Sequence, residues 1–105
     1  MLAYNIGSQS IPGLATTTVA SLALSSGIYL LTVWFTDSNN AGAYVNISTL
    51  GNPLSTVING PTATEAVPYV AIVAGANPLN IDFSNPNASA TDIAGTVLVE
   101  PLVVL

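Results

Sequence analysis

Lysine, arginine, histidine and cysteine are all absent from this chain of 105 residues. If roughly one residue in eight were basic, as in ordinary domains, a gap of this kind would arise by chance on the order of once in a million. The absence is therefore informative. Without basic side chains nothing can neutralise phosphates, which argues strongly against nucleic-acid binding and against docking on anionic lipid headgroups. Without His or Cys there is no Ser-His-Asp or Cys-His arrangement and no usual zinc site, and without Cys no disulfide. Without Lys or Arg there is no Schiff-base lysine, and the common clamps for oxyanions are missing.

Charge of either sign is scarce. Charged residues make up 5% of the chain against a usual share of about 25%. All of them are acidic, giving a net charge of −5. The carboxylates Asp37, Glu65, Asp82, Asp92 and Glu100 are scattered, each near a turn or on an otherwise polar strand face. They are expected to be solvated or to cap turns. No catalytic residue, cofactor-binding residue or metal ligand is expected, and the chain is read as non-enzymatic. The segment "DSNNAG" (37–42) superficially resembles a calcium loop, with Gly42 in sixth place. Ala41 at the fifth position and Ser48 at the twelfth, where a bidentate Glu is needed, favour a plain turn. Nor is there a basic n-region before an apolar run, so "MLAYNIGSQSIPG" is read as the start of a mature domain and not as a leader.

What is abundant is apolar. Half of the residues are hydrophobic and the mean hydropathy is +0.65. Residues 14–35 form an uncharged run long enough to span a bilayer. Its Thr, Ser, Val and Ile content suits strands better than a helix, "SSG" (25–27) divides it, and no Lys or Arg flanks it. A membrane span is the minor reading.

The rest of the chain consists of short alternating segments separated by Gly, Pro and Asn. Strands are expected over 15–24, 27–36, 43–48, 54–58, 67–73, 79–83 and 93–104, with Pro68 placing its strand at an edge or a bulge. The start of the chain (1–13) is open to two readings, an arm laid on a neighbouring subunit or the first strand of the same sheet. About eight short strands and no amphipathic helix make a single all-β domain over 1–105, a compact antiparallel β-sandwich.

The strand at 27–36 is apolar on both faces. Ile28, Leu30 and Trp34 alternate with Tyr29, Leu31, Val33 and Phe35. A sandwich strand buries only one face against its own core, so the other requires a partner, and the simplest partner is another copy of the chain. Tyr29, Leu31, Val33 and Phe35 are the candidate oligomer interface. Tyr4, Tyr29, Trp34, Tyr44 and Tyr69 could stack on sugars if exposed, although aromatics at alternating positions usually serve core or interface. Asn46-Ile47-Ser48 and Asn87-Ala88-Ser89 match a glycosylation sequon, a pattern common by chance.

The order "LALSSGIYLLTVWFT", "AYVNIS", "VPYVAIVAGANPLNIDF" and "AGTVLVEPLVV" resembles the tumour-necrosis-factor/C1q-like jelly roll, in the versions found in bacteriophage fibre tips and capsid decoration proteins. The resemblance covers about residues 15 to 105 and rests on strands and turns with no invariant motif. It implies a jelly-roll topology, homotrimers, and no catalytic residues. Fibre proteins usually join such a domain to a shaft, and no heptads precede it here. The leading expectation is thus a viral structural protein of the virion, a capsid decoration or cement subunit. It would bind itself as a trimer and a capsid protein on the outer shell. The alternatives are a receptor- or glycan-binding fibre tip and a small membrane or filament coat protein. For pH, mutual repulsion is expected to raise the carboxylate pKa values and favour the folded state on acidification. The exceptions would be groups held by backbone amides at turns, with Asp37 and Asp92 foremost.

Overall fold

The residues that the computed structural model describes are 2–50, 52–57 and 66–104. Within them the alternating segments become eight strands: β1 (Leu2–Ile11), β2 (Thr16–Leu22), β3 (Gly27–Asp37), β4 (Tyr44–Thr49), β5 (Asn52–Val57), β6 (Val67–Ala74), β7 (Leu79–Ser84) and β8 (Thr91–Val104). Glu65 and the expected turn at 59–61 lie outside the described residues. Residues 2–11, read above as either arm or strand, pair antiparallel with β8 along their length. No helix of the described residues is long and apolar enough to cross a membrane.

The strands form two four-stranded sheets, ordered β1-β8-β3-β6 and β2-β7-β4-β5. The pairing is nested and antiparallel throughout: β1 with β8, β2 with β7, β3 with β6 and β4 with β5. This is the strand order of a jelly-roll sandwich. β6 is an edge strand, as the missing N–H of Pro68 requires on one side.

Alternation decides what is inside. On β3, Tyr29, Leu31, Val33 and Phe35 are buried. Their register partners Val97 and Val99 on β8, and Tyr69, Ala71 and Val73 on β6, are buried on the same face. The other sheet answers with Ala20 and Leu22, Val45 and Ile47, and Leu79, Ile81 and Phe83. The layers meet at Phe35 and Phe83, whose ring centroids are 4.7 Å apart at 65°, an edge-on contact worth about 1 kcal/mol beyond its area. Two glycines permit this packing. A Cβ on Gly95 would stand 1.9 Å from the carbonyl oxygen of Trp34, so β8 passes β3 too closely for any side chain there. Gly7, at φ +68°, takes the left-handed turn of the bulge in β1.

Loops at one end are tied by side chains. Asn85, almost wholly buried, donates to the carbonyls of Ile11 (3.1 Å), Pro12 (3.3 Å) and Ser89 (2.9 Å) and accepts from the Asn87 amide (2.9 Å). It thereby fixes the turn before β8 against the one after β1.

Candidate interaction surfaces

Asp37 closes β3 and is fully buried. Its carboxylate accepts a short hydrogen bond from the Thr91 hydroxyl and one of 3.0 Å from the Ala43 amide, with the amides of Ala41 and Asn39 also directed at it. Burial pushes its pKa up, but the hydroxyl and three amides outweigh burial and hold it below its ordinary value. N–H and O–H groups thus surround the carboxylate where a cation would need open oxygen lone pairs, so the loop at 37–42 is a turn organised around an anion. Asp82 and Asp92 do not converge either. Asp82 points out from the β2-β7-β4-β5 sheet and Asp92 from the other sheet, following their registers. Among the described residues no group of three or more His, Cys, Asp or Glu could hold a metal, and no pocket is found.

The proposed interface residues lie elsewhere than expected. Tyr29, Leu31, Val33 and Phe35 are buried in the chain's own core and have no free surface to offer a second copy. The uncovered face of β3 is the opposite one, Ile28, Leu30 and Trp34. The inversion has a physical reason. β3 is read by the core through its register with β8, and that register sets Val97 and Val99 beside Val33 and Leu31.

Following the register outward builds a continuous surface. Ile28 lies between Ala74 and Val103, Leu30 between Ile72 and Glu100, Thr32 between Val70 and Leu98, and Trp34 between Pro68 and Thr96. Val70 is 60% exposed, Ile72 66%, Val103 47% and Trp34 42%. The sole carboxylate in these rows, Glu100, lies beyond the point where β1 begins opposite Val99. It sits at the margin of a face on which Thr32 and Thr96 are the other polar positions of these rows. Sequence reasoning overlooked Val70, Ile72 and Val103. The signal was present, since "VPYVAIVA" has apolar residues in both alternating sets, as β3 does.

The outer face of the second sheet has the opposite character. Thr16 and Ser84 bond hydroxyl to hydroxyl (2.8 Å), and Asn46 donates to the same Ser84 (2.9 Å). Asp82 accepts from Thr18 (2.5 Å) and Ser48 (3.3 Å), while Ser21 donates to Asn80 (2.9 Å). The face is a ladder of hydroxyls and amides around one carboxylate. The aromatics do not gather into a sugar platform. Tyr29 and Tyr69 are in the core, Trp34 and Tyr44 are on opposite outer faces, and Tyr4 lies at the β1 edge.

A scan against models of known protein families finds no match, and no curated protein shows significant similarity to the chain. The functional reading rests on the surfaces themselves.

Proposed function

We propose that the chain is a non-enzymatic structural subunit of a virion, a capsid decoration or cement protein that associates with its own copies and adheres to the shell. The observation that carries the self-association is the largely apolar outward surface of β8, β3 and β6, with Ile28, Leu30, Trp34, Val70, Ile72 and Val103. Exposed contiguous apolar surface of this kind is a cost in a lone soluble molecule and marks a contact site. Copies of the chain cover it, three to a unit as the resemblance implies, with Glu100 left in water at the margin. The hydroxyl and amide ladder of the second sheet then remains outside, its side chains already ordered, to meet a shell by hydrogen bonds. The viral assignment rests on the resemblance, supported by the nested order of eight strands.

The test has two arms. Sedimentation of the purified chain at micromolar concentration is expected to show a stable trimer. Image reconstruction of the particle it belongs to is expected to place such trimers on the outer shell. A well-behaved monomer overturns the self-association, and trimers without any particle partner overturn the decoration role.

A further inference from the structure

The edge of β1 is capped by side chains at its bulge and not along Leu2–Tyr4. At the bulge the Asn5 side chain accepts from the Gly7 amide (2.9 Å), and the Gln9 side chain donates to the Ile6 carbonyl (3.3 Å). These bonds occupy backbone groups that a strand edge would otherwise present. Among the described residues no side chain bonds the backbone of Leu2, Ala3 or Tyr4. Natural sheets blunt such edges with Lys, Pro or bulges. Here the bulge comes only after Asn5, and β1 contains neither Pro nor any charge.

The side chains point the same way. Leu2 and Tyr4 pair with Val99 and Val97, so they belong to the core face of the sheet. Yet Leu2 is 50% exposed and Tyr4 38%, whereas Val97 and Val99 are buried. The core face runs out to this edge, and among the described residues nothing covers it fully.

We propose that Leu2–Tyr4 pairs antiparallel with the same segment of a second copy across a two-fold axis, continuing the sheet from one molecule into the next. A copy fits this edge for a reason of charge. Every molecule carries −5 and no basic side chain, so close contact between copies costs least where no carboxylate lies in the contacting strand, and β1 has none. An axis through Ala3 sets Leu2 of one copy opposite Tyr4 of the other, an apolar–aromatic cross-strand pair. The contact lies in the plane of the sheet and leaves its outer face free. It therefore goes beyond the self-association proposed above, as a lateral link between units.

Amide hydrogen exchange of the wild-type chain over a concentration series tests this. Protection at residues 2–4 that grows with concentration, while residues 6–9 do not change, is the expected result. Ala3→Glu places like charges opposite each other and is expected to weaken this association about tenfold or more without changing the β-sheet circular dichroism. Ile72→Asp, which breaks the face contact, leaves the edge protection in place, so the two proposals fail separately. Exchange at residues 2–4 that is independent of concentration overturns the inference. Protection that appears only when shell particles are added also overturns it, because the occupant is then a shell segment.

Discussion

The two outer sheet faces of this sandwich share backbone geometry, strand number and period, and they differ in how they are finished. On β2-β7-β4-β5, every outward position of β7 (Asn80, Asp82, Ser84) takes part in a cross-strand side-chain hydrogen bond. On β1-β8-β3-β6, the outward rows of β6, β3 and β8 are mostly Ile, Leu, Val and Trp, and among the described residues no hydrogen bond joins their side chains across strands. The first face satisfies itself and water together, whereas the second gains free energy only when something covers it. In a chain without basic side chains, salt bridges cannot finish a surface, which leaves hydrogen-bonded ladders or burial.

The largest effect separates the core face of β3 from its outer face. Phe35→Ala empties the contact with Phe83 and Tyr69 and is expected to cost about 3–5 kcal/mol, and Leu31→Asp should abolish folding. Outer-face changes such as Trp34→Ser should leave the folded content intact by circular dichroism. Equal losses on both faces would erase the distinction between them.

Next is Asp37. Asp37→Ala strands buried amide and hydroxyl donors and is expected to cost about 3 kcal/mol in chemical denaturation. Its folded pKa lies below the unfolded value, so its contribution is fully present above about pH 4 and is lost as pH falls through the lower folded value. Thermal midpoints in fixed salt should be flat from pH 7 to near pH 4 on this account and fall below that, and Asp37→Asn should flatten the acid limb. The lowered pKa of Asp37 is the amide-held exception expected from its place at a turn.

A smaller cost is expected on the polar face. Asp82→Ala removes the acceptor shared by Thr18 and Ser48 on a partly exposed surface, for about 1 kcal/mol in urea. A loss as large as that of Phe35→Ala would mean this face is not merely a hydrated ladder.

The smallest expected effect is a gain. Among the described residues the buried Tyr69 hydroxyl has no hydrogen-bond partner, and burial raises its pKa. Tyr69→Phe keeps the ring against Phe35 and removes the stranded hydroxyl, so the thermal midpoint should rise by the equivalent of about 1 kcal/mol. A fall would mean that the hydroxyl finds a partner.

The strands were legible because alternation and Gly, Pro and Asn punctuation act locally. Bounds such as Gly27–Asp37 and Leu79–Ser84 fall within a residue of expectation. That β3 needs two covers was legible too. Which face turns inward was not taken from hydrophobicity, because both faces are apolar. A clue was available in Thr32 and Thr36, which share the Ile28–Trp34 face, whereas the other face has no polar residue before Asp37. β1 stayed ambiguous because "YNIGSQS" carries no clear apolar period and its bulge resets the alternation. The knot at Asp37 was half legible. The turn amides were foreseeable, but Thr91 comes from 54 residues away and leaves no local signature.

The central claim is that the outer face of β1-β8-β3-β6 is a covered surface in the working assembly. Sedimentation equilibrium of Val70→Asp/Ile72→Asp beside the wild-type chain, with circular dichroism on both, tests it most directly. The account predicts a wild-type multimer and a folded double variant that has lost the face contact and is no larger than an edge-linked pair. A double variant that sediments like the wild-type chain would contradict it, because the face would then be uncovered in both.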